Sequence, residues 1–309
     1  MANKLRTKIR KKLIDGVDNK DFLDKNFQYY FTEYGHNLIK GMMDDNHEKM
    51  FRDGSGNELE DKLIPAKARA VDSSSMLSYN FFRNIDDNHS IIINGIEYNK
   101  CLFEVKLPTL TTRGGSANID VVLLSKDEIH VLFIESKFLE YLESDSTELA
   151  DSYKKLDSFY ADNKESEGLC KMCKSYKVQN GHYNYGIKQN ICHLVGISNL
   201  FNSEKAKEKF KQLNAKCLKE SDIDIMKSGK TSFSLIDVLF VPNDEEAIKK
   251  YIEYENDITE FVDGVPEELK RYIPETFVMN YREIYSLMQG FDTETMNWLY
   301  HRYIQFHQG

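Results

Sequence analysis

The sequence predicts a mixed α/β fold, a central sheet flanked by helices, and three stretches carry that expectation. Asn94-Gly95 joins Ile91-Ile92-Ile93 to Ile96-Glu97-Tyr98, and Asn-Gly between apolar runs is the strongest short hairpin signal because both turn residues need positive φ. Residues 117–142 (ANIDVVLLSKDEIHVLFIESKFLEYL) read as two apolar strands around the polar turn Ser125-Lys126-Asp127-Glu128. Residues 182–200 carry Ile187, Ile191, Leu194 and Val195 on one helical stripe. Strands interleaved with long amphipathic helices favour a sheet covered by helices.

Taken in order, residues 1–50 look helical and amphipathic, with Leu5, Ile9 and Leu13 early and Phe22, Phe27, Tyr30 and Phe31 later. Asp53-Gly54-Ser55-Gly56-Asn57 is a turn cluster, and Asn57 is placed to cap a helix that begins at Glu58 and kinks near Pro65. Ser73-Ser74-Ser75 precedes an apolar run over 76–82. After the hairpin, residues 102–107 set Phe103, Val105 and Leu107 against Glu104 and Lys106, the period of a strand, and Pro108 ends it. A loop over 109–116 with Arg113-Gly114-Gly115 leads into the two central strands. Further along, the expectations are a helix over 145–162, a lysine-rich surface excursion over 163–181 and a helix over 182–200. A charged helix over 203–220 and a buried strand over 234–241, stopped by Pro242, come next. Three closing helices are expected over 244–262, 266–289 and 292–307, the last capped by Asp292 or Thr293. The organisation expected is a single domain, 1–309: a helical arm over 1–54, a core over 55–241 and C-terminal helices over 242–309.

Composition narrows the function classes. The 309 residues suffice for a sizeable core, and 41% apolar with 29% charged residues is ordinary for a globular protein. No apolar run approaches the ~20 residues of a membrane span. Met1 to Gly16 is charged without an apolar stretch, so a cytoplasmic location is expected and no membrane partner. The net charge of −9 speaks against a general nucleic-acid coat but leaves room for an enzyme with a local basic groove. Six Lys/Arg fall between Lys4 and Lys12, and Lys171, Lys174, Lys177 and Lys188 form a second group; a solvated face explains either. Five cysteines read as reduced thiols. Cys170-Lys171-Met172-Cys173 has the spacing of half a zinc site, but a second clear pair is missing.

The chemistry concentrates in the central hairpin. Residues two apart on a strand share a face, so Glu135 and Lys137 stand together above Val131 and Phe133. Placing an acid and an amine at the end of the apolar run 131–134 is costly without a partner or a purpose. Asp120 lies on the preceding strand, which the hairpin brings alongside. Two acids and a lysine converging this way suit a hard divalent cation and an activated water. Glu-x-Lys alone is weak, since Glu60/Lys62, Glu104/Lys106 and Glu268/Lys270 repeat it. Glu104 lacks an upstream acid on a neighbouring strand; only Glu135/Lys137 joins a buried strand, a hairpin and the acid Asp120.

With these residues in this element order, the chain resembles the PD-(D/E)XK nuclease superfamily, the restriction-endonuclease-like fold with an αβββαβ core. Asp120, Glu135 and Lys137 match its motif positions; Ile119 stands where the proline would be. The resemblance covers residues 55–241, with helical additions at both ends. It implies an endonuclease dependent on Mg²⁺ (or Mn²⁺) and acting on nucleic acid, with DNA the expected substrate and a homodimer an option. It further implies metal ligation by Asp120, Glu135, the Ser136 backbone carbonyl and Glu58, with Lys137 orienting the water and Gln189 near the site. Glu60 competes with Glu58; a helix-start acid explains Glu58 as well, and a polar helix face explains Gln189. Arg113 is a candidate phosphate contact, while His182 and His193 read as ordinary surface or core histidines. A catalytically silent nuclease-like module that binds nucleic acid or a protein partner is the alternative, and a different carboxylate enzyme the third reading. No P-loop or dinucleotide fingerprint is present.

Overall fold

The computed structural model describes residues 2–17, 19–54, 58–62, 64–112, 115–142, 148–175 and 185–307. Three helices come first, α1 (Ala2–Asp15), α2 (Asp45–Asp53) and α3 (Ser74–Phe82), then four strands, β1 (Ser90–Ile93), β2 (Ile96–Pro108), β3 (Ser116–Ser125) and β4 (His130–Lys137). Four helices follow, α4 (Ser166–Ser175), α5 (Tyr185–Asn202), α6 (Glu204–Asn214) and α7 (Glu220–Lys227), before β5 (Ser232–Leu239). The chain closes through α8 (Glu245–Asp263), α9 (Glu267–Lys270), β6 (Glu275–Asn280), α10 (Tyr281–Leu287), β7 (Met288–Gln289) and α11 (Thr293–Arg302).

All seven strands form one mixed sheet in the order β6-β5-β4-β3-β2-β1-β7. Strands β1 to β4 are an antiparallel meander, whereas β5 runs parallel to β4 and β6 parallel to β5. The first turn is the expected one: Asn94 at φ 51° and Gly95 at φ 80° close the β1–β2 hairpin with both central residues left-handed. Every residue of β4 is buried, as befits a central strand covered on both faces.

The N-terminal arm is packed onto this body. Leu5, Ile9 and Leu13 of α1 are buried in the same apolar core as Leu299 of α11 and Tyr303 just beyond it. Arg302 is buried beside them and donates to the carbonyls of Leu13 and Val71, tying both ends of the chain to the segment before α3. Among the described residues, no helix is long and apolar enough to cross a membrane.

Several expected elements differ. Residues 19–44 hold short 3₁₀ turns in place of a continued helix. No helix begins at Glu58: residues 58–62 and 64–66 are bends and irregular chain, because the Asp61 carboxylate takes the Ala66 N–H (2.7 Å) and Pro65 has no N–H to give. The Asn57 cap lies outside the described residues. The helix expected over 145–162 is replaced, where described, by two 3₁₀ turns at Asp151–Lys154 and Leu156–Ser158. The polar stretch after it contains α4, anchored by buried Leu169, Cys170, Met172 and Cys173. The charged helix over 203–220 divides into α6 and α7. Residues 266–289 are not one helix: Glu275–Asn280 joins the sheet as β6 and Met288–Gln289 as β7, so the C-terminal segment contributes strands as well as helices. Asp292, one of the two expected caps, does cap α11 through the Thr295 N–H (2.7 Å).

Candidate active site

Strand register brings the acids together. Val121 faces Ile134, so Asp120 on β3 stands one step further along, beside Glu135 on β4. Glu135 in turn faces Asp237 on β5. On the other side, the pairs Phe103–Val121 and Val105–Ile119 flank Glu104 and set it alongside Asp120. Four carboxylates therefore stand at one level across four adjacent strands. The sequence reading set Glu104 aside for want of an upstream acid; its neighbour lies downstream, on the strand that follows.

Three polar links shape the centre. The Ser136 N–H donates to Asp120 Oδ2 (2.7 Å), crossing from β4 to β3. Gln189, four residues into α5, donates from Nε2 to Glu135 Oε1 (2.7 Å). The Lys137 ammonium donates to Glu135 Oε1 and to Gln189 Oε1, closing a triangle of three side chains. Glu135 and Lys137 are each only 3% exposed, so the ion pair is sealed from water on most sides. One turn further along α5, His193 Nε2–H donates to the Asn118 carbonyl (2.9 Å) and lies 3.7 Å from Glu135 Oε2. That bond fixes the neutral Nε2–H tautomer, and burial lowers the imidazole's affinity for a second proton against the pull of Glu135.

The electrostatics follow from burial and crowding. Burial, with Glu135 and Glu104 nearby, pushes the Asp120 carboxyl well above its usual range against the opposing pull of Lys137 and the Ser136 amide. Glu104 is raised to about 7 by burial and by Glu58 and Glu135, although Asn118 donates to its Oε2 (3.0 Å). Asp237 is raised to about 6 by burial even though Lys137, Tyr254 and Asn190 all favour its charged form. Lys137 is kept firmly protonated: burial opposes its charge, and Glu135, Asp120 and Asp237 outweigh that penalty.

A cavity of about 350 Å³ opens onto this centre and is lined by Glu58, Asp120, Glu135, Ser136, Lys137 and Gln189. Glu58 reaches it from a loop, where it accepts from Ser75 (2.5 Å) and from Lys67 (3.0 Å). The Lys67 side chain is 62% exposed and also lines the cavity, so the cavity opens to solvent on that side. The structure thus gathers all the sequence-derived candidates Asp120, Glu135, Ser136, Lys137, Glu58 and Gln189 in one place. Arg113 and His182 lie outside the described residues. Cys170 and Cys173 are buried on α4 and form no disulfide, and neither lines the cavity.

The donor set fits a hard divalent cation. Mg²⁺ takes one or two carboxylates and keeps several waters. Asp120 spends Oδ2 on the Ser136 amide and has no hydrogen bond to Oδ1 among the described residues, and Glu135 spends Oε1 on Lys137 and Gln189. The crowding that raises Asp120 and Glu104 is what a cation would relieve. Among the described residues, no group of three or more His, Cys, Asp or Glu side chains is placed to hold a metal ion.

Glu104, Asn118 and Asp237 were missed by the sequence reading. The only sequence signal for Glu104 was its Glu-x-Lys with Lys106 on a strand adjacent to Asp120. Comparison with family models, curated proteins and solved structures found no match to this chain.

Proposed function

We propose that the chain is a Mg²⁺- or Mn²⁺-dependent nuclease of the PD-(D/E)XK kind, with DNA as its substrate. The observation that carries the reading is the triangle of Glu135, Lys137 and Gln189 beside Asp120 at the floor of an open cavity. The order α3-β2-β3-β4-α5-β5 supports it, with β1, α4, α6 and α7 as additions to the αβββαβ pattern. A merely structural salt bridge explains it less well. Replacing a buried ion pair with apolar residues is often neutral or stabilising, so retaining one next to two strained acids points to chemistry.

In this reading Asp120 Oδ1 and Glu135 Oε2 are the oxygens left to hold the cation, with the Ser136 carbonyl and Glu58 as further candidates. When bound, the cation supplies charge neutralisation at the attacked phosphoryl group and a lowered pKa for a bound water. Lys137, permanently charged and oriented by two acceptors, faces the developing negative charge and positions the attacking water. Gln189 holds the Lys137 and Glu135 heads in register through its two ends, so the site is preorganised by α5.

The test is incubation of purified protein with plasmid and with single-stranded DNA or RNA, in Mg²⁺ or Mn²⁺ against EDTA. Metal-dependent nicking that Glu135→Ala and Lys137→Ala abolish supports the reading. Cleavage by both variants at the parental rate removes these residues from the chemistry. Salt-sensitive binding without cleavage in either metal would instead favour the silent-module alternative.

A further inference from the structure

We infer that the cavity between the N-terminal arm and α11 is a site for one unstacked nucleobase, offered by the substrate strand or by a free nucleotide. The ring chemistry stands by itself, and only the strand as source rests on the nuclease reading. The cavity measures about 800 Å³, more than twice the catalytic one, and lies in the range of small-molecule sites. Phe22, His36, Asn297, Trp298 and His301 are among the residues that line it.

Aromatic walls are already assembled there. The Phe22 and His36 rings lie face to face, 3.9 Å between centroids and 6° from parallel. Thr32 locks that stack. Its N–H (2.8 Å) and its hydroxyl (3.2 Å) both donate to the Phe22 carbonyl, so its oxygen accepts from His36 Nδ1–H (2.9 Å). The neutral imidazole is left with Nε2 as an acceptor, and that atom makes no hydrogen bond among the described residues. On α11, Trp298 is held in a T-shaped contact with Tyr303 (5.8 Å between centroids, 79°), and its indole N–H makes no hydrogen bond among the described residues. Phe22 is 37% exposed and Trp298 half-buried, so aromatic surface stays uncovered.

Flat rings with an acceptor and a donor among them suit a ligand that is itself flat and carries both kinds of group on its edge. A nucleobase freed from its stack has that chemistry, and proteins hold such bases on Phe, Trp and His rings while bonding their edges. An aliphatic ligand would leave the Nε2 acceptor and the indole N–H without partners. The cavity also borders the same segments of chain as the catalytic one. On α1, Arg10 lines the catalytic cavity and Asp15 this one; Tyr30 lines the first and Phe31 the second. Arg302, in the lining of this cavity, donates to the carbonyl of Val71, whose neighbour Asp72 lines the catalytic one. That continuity makes the strand cut at Glu135 and Lys137 the first source of the base to test.

Trp298 is the chain's single tryptophan, so intrinsic fluorescence reports on this cavity. The experiment titrates the full chain in EDTA with nucleoside monophosphates, deoxyribose 5-phosphate, toluene, and short single-stranded DNA, intact or abasic throughout. The expected result is a saturable change with the monophosphates that deoxyribose 5-phosphate does not give. Phe22→Ala should weaken it by about tenfold, and Phe22→Tyr should restore it. A response to intact DNA that the abasic strand lacks gives the base to a strand; a response to monophosphates alone gives it to a free nucleotide. A response to toluene and not to the monophosphates, or none to any base-bearing ligand, overturns the site, and the parent decides this even where Phe22→Ala fails to fold. Cutting is scored separately in Mg²⁺ or Mn²⁺. Loss of this site with cleavage intact leaves the nuclease reading standing, whereas base-dependent fluorescence in a chain that cuts nothing sinks that reading alone.

Discussion

Gln189 Nε2 on α5 donates to Glu135 Oε1 on β4 at 2.7 Å, while the other end of the same amide accepts from Lys137. A neutral side chain thus bridges both members of a buried ion pair and couples the position of a helix to the chemistry of a strand. Three predictions follow from the way this centre is built.

Removing one member of the pair leaves the other charge buried. Lys137→Met should destabilise the protein by about 3–5 kcal/mol, and Glu135→Gln should be milder because it keeps the acceptor for Lys137. The double variant should cost less than the sum of the two, with a coupling of about 0.5–3 kcal/mol. Denaturant unfolding of the four proteins gives the cycle. Additive costs would mean that the two heads do not interact as the structure has them. In the nicking assay each single variant should lose at least about 100-fold in rate.

Glu104 carries a pH signature. An unfolded-state glutamate titrates near 4.3, whereas the folded group is raised to about 7. Between those values the native state holds a proton that the unfolded chain has released. Stability from this group is therefore lost as pH rises through the window. In EDTA, Glu104→Gln should become progressively more stable than the parent from pH 4.5 to pH 7.5. Mg²⁺ should raise the parent's melting temperature more at pH 7.5 than at pH 5, because the cation competes with protons for the same crowded acids. Parallel stability curves for the variant and the parent would contradict the assignment.

The seat of α5 is tested at Gly196, seven residues beyond Gln189. A Cβ added there would lie 2.7 Å from the Leu107 Cβ on β2, so the helix or the strand must shift. Gly196→Ala should cost about 1–3 kcal/mol through overpacking. It should also weaken cleavage, since moving α5 pulls Gln189 away from Glu135. A variant that melts like the parent and cuts at the parental rate would show that α5 tolerates displacement.

The parts of the fold that sequence foretold are those in which local chemistry agrees with the tertiary outcome. Asn94-Gly95 turns as its residues demand, and the alternation of Phe103, Val105 and Leu107 survives as three buried side chains. Residues 131–134 form the centre of β4 because nothing in them competes with a strand. The failures lie where tertiary pairing overrides local pattern. Glu275–Asn280 has no alternation that sets it apart from the helices on either side, and it becomes a strand because the open edge of β5 receives it. In the site, Asp120, Glu135 and Lys137 were readable because two neighbouring strands of a hairpin carry them. Glu104 and Asp237 were not, since each arrives through pairing across the sheet that residue spacing does not encode.

The parallel pairing of β4 with β5 has a consequence for how the protein comes into being. The whole stretch between β4 and β5 must be synthesised before Glu135 can meet Asp237, whereas Gln189 on α5 precedes β5 in the chain. Such distant pairing closes slowly. A nascent chain that stops short of Ser232 leaves the edge of β4, with its apolar run Val131–Ile134, without the β5 partner that covers it, an edge that invites aggregation. The row of four carboxylates is therefore complete only after more than two-thirds of the polypeptide has been synthesised.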